Sequence, residues 1–195
     1  MVTIGVLVLL AVLVIWSVAI YNRLVALRNR IANAFGQIDV QLKRRYDLVP
    51  NLVEVARAYL KHESATLEAV IQARGQAQSA AAAARTQPGN AASIGALAVA
   101  EGVLGGSLGR LMMVAENYPD LKADSTMKSL SEELTSTENR LGFARQAFND
   151  QVLDFNNAVQ VFPDLIVARL AGFAPAAVLE ATRSEEERAA PKVSF

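Results

Sequence analysis

Residues 2–20 read VTIGVLVLLAVLVIWSVAI, an unbroken run without a charge in which Thr3 and Ser17 are the only hydroxyls. As an α-helix the run spans ~28 Å, close to the ~30 Å hydrocarbon core of a bilayer. Val and Ile are poor helix formers in water, but in lipid the backbone must satisfy its own hydrogen bonds, and a helix does so. Trp16 and Tyr21 fall near its C-terminal end, where an interfacial aromatic belt lies. A cleaved secretory signal is the competing reading. Against it stand the missing basic n-region, the length of the apolar run and the lack of a convincing A-x-A site. Residues 1–20 are therefore expected to be a transmembrane anchor. Trp16, Tyr21, Arg23, Arg28 and Arg30 are its expected contacts with the membrane interface. Nothing basic precedes the span and three arginines follow at once, so the positive-inside rule puts the N-terminus outside and the body in the cytoplasm.

What is left of 195 residues suffices for one domain of ordinary size. Lys+Arg (19) cancel Asp+Glu (19), whereas a nucleic-acid binder normally carries a basic excess; no nucleic-acid partner is expected. There is no cysteine, which removes disulfides, thiolate metal sites, cysteine nucleophiles and iron–sulfur clusters. His62 is the sole histidine, so most zinc sites and Glu-x-x-His di-iron pairs are out of reach within one chain. No cofactor is expected. Hydrophobic residues make up 52% but aromatics only 6%, so the apolar mass is Ala, Val and Leu, a mixture that favours helix over strand.

The body reads as all-α. Leu24, Leu27, Ile31, Ala34 and Ile38 alternate steps of three and four with no breaker after the membrane span, which predicts one continuous helix to about residue 47. Pro50 lacks an N–H, so the carbonyl of Tyr46 loses its partner and the helix is expected to kink or restart there. A second helix is expected over 50–83, its buried face marked by Leu52, Ala56, Tyr59, Leu60, Leu67, Val70 and Ile71. The linker TQPGNAAS (86–93) turns at Pro88-Gly89-Asn90. A third helix is expected over 94–117, although its glycines at 102, 105, 106 and 109 each cost ~1 kcal/mol against Ala. The fourth has the strongest pattern. Met127, Leu134, Leu141, Phe148, Phe155 and Phe162 recur every seven residues, and Leu130, Thr137, Ala144, Gln151 and Ala158 fill the alternate seam. Asp124 or Ser125 caps it and Phe162-Pro163-Asp164 stops it. A short apolar segment (165–173) follows, then the acidic Glu185-Glu186-Glu187 and a tail assigned to 175–195.

Few motifs carry chemistry. Gly105-Gly106-Ser107-Leu108-Gly109 fits the G-x-S-x-G elbow of α/β hydrolases, but that motif works only on a strand-to-helix turn. The same glycines form Gly102-x-x-x-Gly106 and Gly105-x-x-x-Gly109, which let two helix backbones approach closely. A frayed helix start is the alternative. His62-Glu63 would diverge by about 100° on a helix and reads as a solvated pair. Glu54, Glu68, Glu101 and Glu116 show no paired spacing. Lys43-Arg44-Arg45, with Tyr46 and Asp47, is the most informative polar cluster. Its bland reading is a solvated helix end with Arg44 and Asp47 paired at i,i+3. On an upright helix Arg44 would lie ~36 Å beyond Ile20. Screening acts over ~8 Å, so lipid is not its partner. Residues 43–47 are the candidate interaction surface, toward another helix or a neighbouring subunit. Asn22, Asn29, Asn33, Gln37 and Gln41 flank the first helix, either fixing register or facing water.

Four stretches carry a family resemblance: YNRLVALRNRIANAFGQIDVQLKRRYDLVPNLVEVARAYLKHESATLEAVIQAR (21–74), MVAENYPDLKA (113–123), TENRLGFARQAFNDQVLDFNNAVQVFP (137–163) and the closing PKVSF. The chain resembles the LemA family of bacterial membrane-anchored helical proteins. It departs from the family pattern in its glycine-rich SIGALAVAEGVLGGSLG and at Arg169, where small apolar residues are usual. The resemblance implies one transmembrane helix continuing into an antiparallel bundle of long helices over 21–174, set in the bacterial inner membrane, and it brings no enzymatic activity. The expected function is a non-enzymatic, self-associating membrane scaffold that organises or shapes the bilayer. The alternative is a monomeric adaptor that docks another membrane protein or a signalling complex.

Overall fold

The computed structural model describes residues 2–180. Among them the chain is helical and without strands: α1 (Val2–Tyr59), α2 (Ser64–Thr86), α3 (Ala91–Ala115), α4 (Pro119–Ala123), α5 (Ser125–Gln160) and α6 (Asp164–Leu170). The expected architecture is the one adopted, a long apolar N-terminal helix running into a helical bundle. The tail residues Glu185-Glu186-Glu187 and PKVSF lie outside the described residues.

α1 is one helix of roughly 87 Å. Its apolar run is exposed, and burial sets in at Ile20, then at Leu24, Leu27, Ile31, Phe35, Ile38 and Leu42, the steps of three and four that the sequence shows. α5 runs back along this stripe, antiparallel to α1. At the far end the Tyr59 hydroxyl donates to Asp124 Oδ2 (3.1 Å), midway the rings of Phe35 and Phe148 meet edge to face (5.9 Å), and at the near end Arg23 bonds Asp164 (3.0 Å). α2 descends beside α1, and α3 climbs back against α2. Ala73, Ala77, Ala81 and Ala84 line the buried face of α2, so the alanine run stays helical and its small side chains let the flanking helices approach.

Two caps set the helix starts. Asn90 Oδ1 accepts from the backbone of Ala92 and Ser93 to open α3, and Asp124 Oδ1 accepts from Thr126 and Met127 to open α5. The short α4, with Pro119 in its first turn, was not foreseen.

The helix does not restart at Pro50, one of the two outcomes expected there: α1 continues to Tyr59. The carbonyl of Tyr46, which has no N–H from Pro50, accepts instead from Arg74 Nε on α2 at 2.7 Å. A side chain from another helix thus replaces the missing backbone donor, and Val49, Leu52 and Val53 are buried around the gap, so the helix continues through it. The chain reverses later, at residues 60–63, where Glu63 N–H bonds the Leu60 carbonyl and the Glu63 carbonyl opens α2. His62 therefore sits in an exposed turn rather than on a helix.

The heptads of α5 are buried as read at Met127, Leu134, Leu141, Phe148 and Phe155, but Phe162 is 75% exposed. The helix ends at Gln160 and Val161 is extended (φ −86, ψ 137), which carries the next side chain off the seam.

Candidate functional site

All four long helices meet at a polar centre in the middle of the bundle. Arg45 sits on the apolar seam of α1, between Leu42 and Val49, and is 5% exposed. Its Nη1 donates to Glu101 Oε2 of α3 (2.7 Å) and its Nη2 to Glu138 Oε1 of α5 (2.9 Å). Glu101 is 4% exposed and occupies the corresponding seam of α3, between Leu97 and Leu104. The Tyr46 hydroxyl donates to Glu101 Oε1 (2.6 Å) and also lies 3.1 Å from the Ala77 carbonyl of α2. Arg145 of α5 completes the group, with Nη2 3.9 Å from Glu101 Oε2.

The Arg45 and Arg145 guanidinium groups face the Glu101 and Glu138 carboxylates here, with Glu180 lining the same cavity, so charges are paired at a level where isolated ions would be prohibitive. Burial pushes the Tyr46 phenol well above its ordinary value, and the Glu101 carboxylate adds to this, so Tyr46 stays a neutral donor. Burial pulls Arg145 downward while Glu101 pulls it back. Arg45 Nε and Arg145 Nε are buried without a hydrogen-bond partner among the described residues. Gly105 of α3 lies alongside; a Cβ there would stand 3.7 Å from Arg45 Nη2. The arrangement holds helices in register. Among the described residues no three His, Asp or Glu side chains converge on a metal position.

The cluster 43–47 is therefore divided by the fold. Arg45 and Tyr46 turn inward, while Lys43, Arg44 and Asp47 are exposed. Arg44 pairs not with Asp47 but with Glu133 of α5 (2.6 Å), across a half-exposed interface. Sequence reasoning weighed Glu101 only for carboxylate spacing and passed over Glu138 and Arg145. The available signal was a charged residue at a seam position, since Ile94, Leu97, Glu101, Leu104, Leu108 and Leu111 form a single three–four stripe.

The second candidate region is the end of the bundle nearest the apolar run. Trp16 and Tyr21 are exposed at 42% and 46%. Arg23 bonds Asp164 of α6. The Arg28 guanidinium lies 5.3 Å above the Phe173 ring, which also meets Tyr21 edge to face (5.7 Å). Arg30 lines an open cavity of about 570 Å³ with Arg23, Asp154 and Asp164. Beyond α6 the chain has no regular secondary structure as far as residue 180, and two asparagines seven residues apart on α5 hold it by its backbone. Asn156 bonds both N–H and C=O of Ala176, and Asn149 does the same for Leu179. Residues 175–180, assigned to the tail, are thus seated on the bundle.

Comparison with known proteins sets these features in a family. The sequence is 28% identical over 168 residues to the magnetosome protein MamQ of Magnetospirillum gryphiswaldense, covering 78% of this chain and 62% of that protein. The chain thus spans less than two thirds of the length of that relative. Two MamQ proteins of Paramagnetospirillum magneticum are 33% identical over 78 residues, 40% of this chain and 29% of theirs. The LemA family matches residues 34–195, which takes in the polar centre, all of the bundle beyond it and the α5–α6 corner, and the chain belongs to the LemA family.

Proposed function

We propose that the chain is a non-enzymatic, single-pass membrane protein whose helical body stands off the bilayer and self-associates as a scaffold. The observation that carries this reading is the unbroken helix α1. Its most apolar window is only 6% buried, so the folded body offers it no partner, yet it continues without a break into the buried stripe of the bundle. A bilayer is the solvent that such a surface fits. The anchor sits in the bacterial inner membrane, N-terminus outside and body in the cytoplasm, as the arginines after the span favour.

Self-association draws on α3. Gly95, Ala96, Gly102, Val103, Gly106, Gly109 and Met113 are exposed on a helix long and apolar enough to cross a membrane. Exposed glycines weaken a helix by ~1 kcal/mol each against Ala, and a Cβ at Gly95, Gly106 or Gly109 would meet nothing within 4 Å in this chain. They do permit close approach of a second backbone. The test is the mass of the full-length protein in mild detergent by light scattering, beside a Gly106→Leu variant. A Cβ at Gly106 meets nothing within 4 Å, so the monomer tolerates leucine. A uniform assembly that Gly106→Leu dissolves supports the scaffold. A clean monomer sinks it and favours the adaptor, whose partner should then co-purify at fixed stoichiometry.

A further inference from the structure

We infer that the α5–α6 corner is a second membrane contact, an interfacial foot that inserts Phe162, Ile166 and Leu170 into the leaflet on the body's side. This rests on the anchor reading above.

Phe162 stands at the corner just before α6, and Ile166 and Leu170 are spaced by four on that helix and share one face. They are 75%, 51% and 84% exposed, and Val161 beside them is 59% exposed. The opposite face is buried against the bundle at Asp164 (8%) and Ala168 (1%). Single exposed apolar residues are ordinary, but a continuous row of large ones on an otherwise amphipathic helix marks a contact.

Height along α1 identifies what covers the row. Both sides of α6 are tied to the first turn of α1 beyond the apolar run, Asp164 to Arg23 and Phe173 to Tyr21. Arg23 lies only ~4.5 Å along the axis from Ile20. Ile20, the last residue of the run, is itself 6% exposed, so the body already covers the end of the span. A row of apolar side chains at this height meets the headgroup and upper acyl region, where interfacial helices sit ~5–10 Å deep. Exposed Arg169, next to Leu170, supplies the cation such a helix carries toward lipid phosphates. Exposed apolar residues elsewhere on the body need not lie at this height. Phe143 is 74% exposed too, but it stands on α5 between Glu138, bonded to Arg45, and Phe148, packed on Phe35, roughly 30 Å beyond Ile20.

Trp16 is the only tryptophan, which makes depth measurable in the full-length chain. The protein is reconstituted into vesicles of phosphatidylethanolamine and phosphatidylglycerol, with and without acyl chains brominated near the headgroup. Native Trp16 reports the anchor. Phe162→Trp, Leu170→Trp and Phe143→Trp, each in a Trp16→Phe background, report the corner and the distant control. The expected result is bromine quenching at 162 and 170 comparable to that of Trp16, and none at 143. Quenching of Trp16 without quenching at 162 and 170 overturns the foot and leaves the anchor standing. A blue-shifted but unquenched signal at 162 and 170 also overturns it, because protein rather than lipid then covers the row. Absence of quenching at Trp16 itself removes the anchor and the foot together.

Discussion

Removing Glu101 should be among the most damaging single changes in the body, and removing Arg45 with it should be milder than the two losses added. Both side chains are at least 95% buried and are joined at 2.7 Å. Glu101→Leu leaves Arg45 with only Glu138, whose carboxylate is 48% exposed, and leaves the Tyr46 hydroxyl with the Ala77 carbonyl alone. Breaking a buried ion pair by removing one partner costs ~3–5 kcal/mol, a large part of the ~5–15 kcal/mol that holds a typical domain together. Arg45→Met is expected at the lower end, because Glu101 keeps the Tyr46 hydroxyl and the Arg145 guanidinium 3.9 Å away. In the double variant neither charge is orphaned, and the coupling should reach ~2–3 kcal/mol. Urea unfolding of the full chain in mild detergent, followed by circular dichroism with linear extrapolation, measures the cycle. Additivity to within ~0.5 kcal/mol would show that the pair is solvated and that the argument from burial is wrong.

Arg74→Leu should destabilise by ~1–3 kcal/mol by orphaning the Tyr46 carbonyl, and Pro50→Ala, which restores an N–H, should recover much of that loss in the same unfolding assay. Backbone bonds from Met127, with the Tyr59 hydroxyl and Thr126, hold the Asp124 carboxyl below its ordinary value. A depressed carboxyl contributes stability that is present above its unfolded value and lost as pH falls through the folded one, so acid titration should weaken the wild type more steeply than Asp124→Asn. Asn149→Ala and Asn156→Ala should speed hydrogen exchange at the Leu179 and Ala176 amides, respectively, while leaving the amides of α1 protected; loss of protection throughout would mean that the asparagines hold the whole fold.

The helices were legible because amphipathic period is a local property. The stripe from Leu24 to Ile38 and the heptads from Met127 to Phe155 each needed only their own neighbours in sequence to be recognised. What escaped depends on partners distant in sequence. Pro50 was read as a break because its lost hydrogen bond is local, whereas the rescue comes from Arg74 on the next helix. Lys43-Arg44-Arg45 was read as one surface because adjacent residues share composition, yet the helix turns Arg45 inward and leaves its neighbours outside. Its seam position predicts burial, but only folding supplies Glu101 opposite. Phe162 kept the heptad count while the backbone had already left the helix at Val161.

The continuity of α1 has a mechanical consequence. No loop separates the apolar span from the body, so any tilt of the span is passed undamped to the far end of the bundle at Tyr59. That end lies roughly 58 Å beyond Ile20, and a change in tilt of ~10° would sweep it sideways by about 10 Å. If the span is anchored as proposed, mismatch between its length and the bilayer contributes to its tilt, and the rod magnifies each small adjustment into a displacement as wide as a helix. The distal turn around His62 would then move like the needle of a gauge whose pivot is the membrane.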